Sequence, residues 1–166
     1  QDPVSIIGGA ICIMGGAPTI EDCIFEDNHS GYGGAIHSDG AATTIRNCIF
    51  RYNSASANAG AVLAINGAVT IEGCDFEDNH ATLWGGAMHI VQGSPSLTDC
   101  NIINNDSIHG GGFYWHQAEG GSELPVTGCT ISGNYAKNTG GGIQSLTGRP
   151  AIVFTDSTLC DNAPEQ

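Results

Sequence analysis

Two pairs of acidic residues are the first feature of this sequence whose type and spacing suggest chemistry. Glu26-Asp27 and Glu77-Asp78 lie in two identical stretches, Phe-Glu-Asp-Asn-His at 25–29 and at 76–80. Two carboxylates at a defined separation are what a glycoside hydrolase needs, and carboxylate oxygens suit calcium. Because the pairs are duplicated together with their surroundings, we expect solvated corners of a repeat and no cofactor. Calcium bound at such a corner is the alternative.

Cationic residues are the second candidate, because a polysaccharide lyase needs a base that is often Arg or Lys. The chain has four: Arg46, Arg51, Lys137 and Arg149. Arg46 and Arg51 each lie between glutamates at equivalent positions of the neighbouring repeats, and we expect them to be paired with those glutamates. Lys137 and Arg149 are near no carboxylate cluster in the sequence. The segment 117–125, with Glu119 and Glu123, is the best place for a grafted catalytic site. We therefore favour a non-enzymatic role and keep a lyase or hydrolase as the alternative.

Aromatic and imidazole side chains supply a third candidate, a binding surface. One repeat position, just before each small-residue or glycine pair, is occupied in turn by Tyr32, Asn58, Trp84 and His109. On stacked strands, Tyr32 and Trp84 would be about 9–10 Å apart, which suits contact with alternate units of an extended sugar or peptide chain. The alternative is that they only cover the neighbouring turn.

A second aromatic group lies at 113–116. Alternation along a strand would direct Phe113 and Trp115 inward and leave Tyr114 and His116 outside. The predicted ligand-binding residues are Tyr32, Trp84, His109 and Tyr114. No metal site is predicted, because Leu63 separates His37 from His89 in their column.

The elements that position these residues are revealed by a repeat. An asparagine recurs at intervals of 25, 26, 26, 29 and 28 residues, at Asn28, Asn53, Asn79, Asn105, Asn134 and Asn162. A fixed period in this range is typical of a solenoid, in which each unit buries its apolar face against its neighbours. The apolar positions alternate with period two, which predicts strands. The sequence therefore predicts an all-β, right-handed parallel β-helix of about six rungs of 25–30 residues, with three strands per rung.

Five cysteines recur in phase, each five residues before a repeat asparagine: Cys23, Cys48, Cys74, Cys100 and Cys129. Parallel Cα–Cβ vectors on stacked strands keep Cβ atoms near the strand spacing, which is longer than a disulfide prefers. We therefore expect an inward stack of free thiols. The repeat asparagines are expected inside, where each can bond to turn backbone and to the next asparagine.

The net charge of −13 limits the partners. Such a surface repels phosphate backbones and anionic lipids, so nucleic acid is not an expected partner. No apolar run reaches the roughly 20 residues that span a bilayer, so no membrane insertion is expected. We predict a single domain over 1–166, as a segment of a longer secreted or surface protein.

The paired phrases of the repeat resemble a known family. Gly-Gly-Ala-Ile at 8–11 and 33–36 and Gly-Gly-Ala-Met at 85–88 alternate with Phe-x-x-Asn at 25–28, 50–53 and 76–79. This combination resembles the passenger-domain repeats of chlamydial polymorphic outer-membrane proteins. The resemblance implies a β-helix outside the cell or at its surface, in a family associated with adhesion. The predicted function is an extracellular structural or adhesive domain that recognises a glycan or a cell-surface protein. Apolar residues in the first and last repeats add a prediction of end-to-end self-association.

Overall fold

The computed structural model describes residues 7–118, 121–147 and 151–164. All regular elements in these ranges are short β-strands, and every pair is parallel. They form four sheets of six strands, and each sheet receives one strand from every rung of the chain. The prediction of an all-β parallel solenoid with six rungs is confirmed.

The strands follow one another around each rung in the order sheet 1, sheet 2, sheet 3 and sheet 4. Sheet 1 contains β1 (Ile11–Met14), β5 (Ile36–Asp39), β9 (Val62–Ile65), β13 (Met88–Val91), β17 (Phe113–Gln117) and β21 (Ile143–Thr147). Sheet 2 contains β2 (Thr19–Glu21), β6 (Thr44–Arg46), β10 (Thr70–Glu72), β14 (Ser96–Thr98), β18 (Leu124–Thr127) and β22 (Ile152–Thr155). Sheet 3 contains β3 (Ile24–Glu26), β7 (Ile49–Arg51), β11 (Asp75–Glu77), β15 (Asn101–Ile103), β19 (Thr130–Ser132) and β23 (Thr158–Cys160). Sheet 4 contains β4 (His29–Tyr32), β8 (Ser54–Asn58), β12 (His80–Ala81), β16 (Asp106–His109), β20 (Tyr135–Thr139) and β24 (Ala163–Pro164).

The prediction of three strands per rung is wrong, since each rung has four. The segment from Ile20 to Phe25, which alternation treats as one strand, is broken at Asp22 by a left-handed backbone with φ of 55°. Asp, Asn and Gly tolerate this conformation best, and they occupy the equivalent corner on every rung: Asp22, Asn47, Gly73, Asp99, Gly128 and Asp156. The turn changes the sheet while keeping the flanking apolar columns inside.

The core consists of like residues stacked on like. The rings of Phe25, Phe50 and Phe76 lie parallel, with centroids 4.8 and 4.7 Å apart. Phe50 and Phe76 have no solvent exposure, and neither does Trp115, which points inward as predicted. Phe154 and Leu159, in the last rung, are 42% and 47% exposed. The middle rungs therefore form the closed part of the core.

Polar ladders run beside this core and confirm the predicted inward columns. Asn79 accepts hydrogen bonds from the backbone N and Nδ2 of Asn53, at 3.0 and 2.9 Å, and its own Nδ2 donates to Asn105 Oδ1 and Phe50 O. None of the seven cysteines forms a disulfide. Cys48, Cys74, Cys100 and Cys129 are buried, whereas Cys23, in the first rung, is exposed.

Candidate functional site

Two sides of the solenoid carry different chemistry on their outer surfaces. All six histidines lie in sheets 4 and 1: His29, His80, His109, His37, His89 and His116. Most of the described acidic residues lie in sheets 2 and 3 or in the turns that follow their strands. We call sheets 2 and 3 the acidic side and sheets 4 and 1 the histidine side.

The acidic pairs that suggested catalysis belong to the architecture of the acidic side. Asp27 and Asp78 have left-handed backbones, with φ of 54° and 53°, just before the ladder asparagine. Glu26 is paired with Arg51, whose Nε lies 2.9 Å from its Oε1. Because the corners require this backbone and Glu26 already has a cation, Asp27, Asp78 and Glu26 have structural roles.

Arg46 is also paired with a glutamate, since its Nη2 lies 3.1 Å from Glu21 Oε2. Each arginine therefore pairs with the glutamate of the preceding rung. In the part of the chain that the structure describes, no three His, Cys, Asp or Glu side chains converge as metal ligands.

Sheets 4 and 1 meet at a tight corner that brings two outward columns together. On the second rung this corner is Gly33-Gly34, where Gly33 has φ of 65° and a side chain on Gly34 would collide with backbone of the next rung. The column before the corner ends sheet 4 and includes Trp84 and His109, which are paired in register. The column after it lies in sheet 1 and includes His89 and Tyr114. The close approach of backbones at glycine places these columns side by side.

These columns form a groove that we call the aromatic groove. It has a volume of about 210 Å³ and is lined by Trp84, His109, Tyr114, Thr139, Gln144 and Leu146. The Trp84 ring stacks on that of Tyr114, with centroids 5.7 Å apart and planes 27° from parallel. His109 Nδ1 lies 2.7 Å from Thr139 Oγ1. The groove thus combines an aromatic surface with hydroxyl, imidazole and amide groups.

His89 supports the aromatic groove from below. Its ring makes edge contacts with Trp84, at 5.7 Å between centroids, and with Tyr114, at 5.1 Å. Burial, with a smaller contribution from His116, lowers the pKa of His89 to about 4. The ring is therefore neutral at physiological pH and packs as part of an aromatic cluster.

The predicted ligand-binding residues are only partly brought together. Trp84, His109 and Tyr114 line one groove, but Tyr32 lies two rungs from Trp84 and does not. The prediction that Tyr114 lies outside needs correction: its side chain points outward, yet Trp84 and His89 cover it and leave it 8% exposed. Burial also raises the pKa of Tyr114. Among the four predicted residues, Trp84 is the most exposed, at 37%.

A second depression on the histidine side was missed from the sequence. It has a volume of about 430 Å³ on the outer face of sheet 4, and its lining includes His80, Thr82, Asp106, Tyr135 and Lys137. His80 Nδ1 lies 2.6 Å from Asp106 Oδ2. Lys137, which has no carboxylate cluster near it in the sequence, here shares a depression with Asp106.

A signal for this depression is present in the sequence. The residue directly after each ladder asparagine forms one outward column, and its members are His29, Ser54, His80, Asp106, Tyr135 and Ala163. The asparagine itself points inward, so the next residue points outward. Reading that column in phase would have placed His80 beside Asp106.

The segment 117–125 contributes less than the sequence suggested. Gln117 is buried and donates from Nε2 to Gly93 O at 2.8 Å, which ties the start of the segment to the preceding rung. Glu119 lies outside the described residues. Glu123 is exposed and lines neither depression.

Comparison with known proteins identifies the architecture. A family model described as right handed beta helix region matches residues 4–159. The chain belongs to this family. The match confirms the right-handed β-helix that the repeats predict. No curated protein matches this β-helix, and no solved structure does either. The part of the β-helix that the structure describes contains no helical segment long and apolar enough to cross a membrane.

Proposed function

We propose that this β-helix is an extracellular or cell-surface recognition domain that binds a glycan in the aromatic groove. The observation that carries the proposal is the Trp84 ring, which is 37% exposed and held in place by Tyr114 and His89. A rigid, partly exposed aromatic ring offers a flat apolar surface at little cost in conformational entropy. Such a ring suits the apolar face of a sugar.

Polar groups around Trp84 favour a sugar over a purely apolar ligand. His109, Thr139 and Gln144 line the same groove and supply hydrogen-bond donors and acceptors beside the ring. A few placed polar groups around an apolar surface are what orient a small ligand. The proposed adhesive role and the location outside the cell rest on the resemblance of the repeats to surface passenger domains.

Glycan-array binding of the wild-type chain and of Trp84→Ala tests this proposal. We expect the wild type to bind a defined set of glycans, and the variant to lose about tenfold or more in affinity for them. Leu83→Ala is the matched control, because Leu83 precedes Trp84 directly and is 39% exposed but does not line the groove. Equal binding by Trp84→Ala and wild type, or loss in both variants, would show that the groove is not the site.

Cleavage of a polysaccharide is the second candidate function, and the His80–Asp106 pair is the observation in its favour. An imidazole held by a carboxylate, with Lys137 and Tyr135 in the same depression, supplies groups for acid–base chemistry. Incubation with a panel of polysaccharides, followed by analysis of chain length, tests this function. Cleavage by the wild type that is lost in His80→Gln would establish it over simple recognition.

For the end rungs we propose association with a second copy of the chain. The asparagine ladder is directional, since each residue donates to the Oδ1 of the next: Asn28 donates to Asn53, and Asn134 to Asn162. Among the described residues no donor reaches Asn28 Oδ1, and Phe154 and Leu159 are partly exposed at the other end. A second copy stacked in the same direction would continue both the ladder and the apolar columns.

Light scattering of the 166-residue chain at several concentrations and salt strengths tests this association. We expect the mean mass to rise with concentration, and to rise further as salt screens the net charge of −13. A constant monomer mass at high concentration in both low and high salt would contradict it.

A further inference from the structure

The aromatic groove and the depression beside His80 share three rungs. His80 and Trp84 belong to one rung, Asp106 and His109 to the next, and Lys137 and Thr139 to the third. His80 and Trp84 are four positions apart, with a bend at Thr82 and Leu83 between them, so their Cα atoms are at most about 14 Å apart. A ligand longer than a single sugar ring can therefore contact both.

Lys137 differs from the paired cations of the acidic side. Arg46 and Arg51 each have a glutamate partner, and Arg149 lies outside the described residues. No carboxylate among the described residues lies within ion-pair distance of Lys137, whose side chain is exposed. Its ammonium group is available to an anion from solution.

A local irregularity of sheet 4 places Lys137 in the depression. The pairing of β16 with β20 shifts between Ser107 and His109, so that β20 contains one more residue than β16 over this interval. Such a bulge interrupts regular pairing and redirects a side chain, and bulges are frequent beside functional sites. Lys137 occupies this interval, opposite Ile108, and both line the depression.

His80 contributes to the depression by holding the carboxylate of Asp106. An ionised carboxylate only accepts hydrogen bonds, so the Nδ1 of His80 carries the hydrogen that is shared with Asp106. This hydrogen bond occupies the carboxylate of Asp106 and leaves Lys137 as the cationic group of the depression.

We propose that the depression around Lys137 and His80 is an anion subsite, through which the β-helix selects glycans that carry carboxylate or sulfate groups. This inference rests on the proposed function, because the aromatic groove supplies the binding of the sugar itself. Asp106 is the only acidic residue among the described residues that line the depression, and it is paired with His80. The acids that give the chain its charge lie mainly on the acidic side, so they oppose such a ligand less at this surface.

Affinity measurements with matched acidic and neutral polysaccharides test the inference. The carboxylate probes are polygalacturonate and its methyl ester, and the sulfate probes are dextran sulfate and dextran. We expect the wild type to bind one acidic probe about threefold to fivefold more tightly than its neutral counterpart at low salt. The pair that shows the preference identifies the anion. Lys137→Gln should abolish the preference and leave affinity for the neutral probe unchanged.

Arg46→Gln is the matched control, because it removes one positive charge from the acidic side and should preserve the preference for the acidic probe. Trp84→Ala should weaken binding to acidic and neutral probes by the same factor. Binding of neutral probes without any acidic preference, or a preference that persists in Lys137→Gln, would overturn the anion subsite while leaving the proposed function intact. Failure of the wild type to bind any glycan, on these probes and on the array, would overturn both.

Discussion

The acidic side and the histidine side of this β-helix share the same rungs but vary to different degrees. On the acidic side, almost every strand has three residues, and the outward positions alternate between acids and their partners, as in Glu21, Arg46 and Glu72. On the histidine side, strand length varies from two to five residues and register shifts interrupt two of the pairings. The aromatic groove and the depression beside His80 both lie on the histidine side.

The difference shows where a repeat can change without losing its fold. The inward columns and left-handed corners of the acidic side constrain nearly every position, because each rung must match its neighbours. On the histidine side, an extra residue can be accommodated in a bulge while the glycine corner preserves the close approach of the backbones. The aromatic groove and the depression beside His80 both lie where the repeat varies in this way.

The largest expected effect is a difference in stability between a core variant of the acidic side and a variant of the aromatic groove. Phe50→Ala should destabilise the protein by about 3–5 kcal/mol, because the stacked rings of Phe25 and Phe76 prevent the cavity from collapsing. Trp84→Ala should cost only about 1 kcal/mol, since that ring is partly exposed. Urea unfolding of both variants measures the difference. A loss below about 1 kcal/mol for Phe50→Ala would mean that the acidic side does not carry the core.

The next effect concerns the asparagine ladder, at the corner where the two sides join. Asn79→Ala should destabilise the protein by about 2–4 kcal/mol, because it leaves buried donors of Asn53 without their acceptor and Phe50 O without its donor. Asn28→Ala is the control, since Asn28 is only half-buried in the first rung. Equal losses in urea unfolding would argue that burial does not determine the strength of the ladder.

A pH-dependent effect distinguishes the histidine side. The folded-state pKa of His89, about 4, is below the ordinary value of 6.5, so the unfolded chain binds the proton first as the pH falls. The contribution of neutral His89 to the free energy of unfolding is therefore complete above pH 6.5, and it is lost as the pH falls from 6.5 to about 4. We expect a loss of about 2–3 kcal/mol over this window, because Trp84, Tyr114 and His116 surround the ring without an acid.

His89→Leu provides the control for this effect, because Leu63 already occupies the equivalent position on the preceding rung. Urea unfolding at pH 7, 5.5 and 4 should show a steeper loss in the wild type than in the variant. The titration of carboxylates on the acidic side is common to both proteins and cancels in the difference. Parallel pH profiles would show that His89 does not couple to folding.

The smallest expected effect is on the outer surface of the acidic side. Arg46→Gln should change stability by less than about 1 kcal/mol, since Arg46 and Glu21 are 44% and 55% exposed and their attraction is screened by water. The change should shrink further in high salt. Thermal unfolding in low and high salt measures it, and a loss of several kcal/mol would mean that the acidic side is held together by its surface charges.

Much of the fold could be predicted from the sequence, because the same pattern of inward apolar and asparagine positions occurs six times. The inward columns through Ile45, Cys48 and Phe50 were predictable from their phase, since stacked rungs must bury equivalent positions. The number of strands per rung was not predicted, because a left-handed residue such as Asp22 redirects the chain without disturbing the alternation of apolar residues. Three of the four predicted site residues line one groove, because they occupy equivalent or adjacent positions of neighbouring rungs. Tyr32 lies two rungs away.

By itself, the sequence therefore determined the solenoid, its period, its core columns and the free thiols of the repeat column, all of which depend on positions that recur in phase. Only the tertiary structure decided which outward residues from different rungs share a depression, as His80, Asp106 and Lys137 do. It also decided that Tyr114 is covered while Trp84 remains accessible. The physical reason is that inward positions are specified by burial against identical neighbours, whereas outward neighbours depend on corners and bulges that change the register of a rung locally.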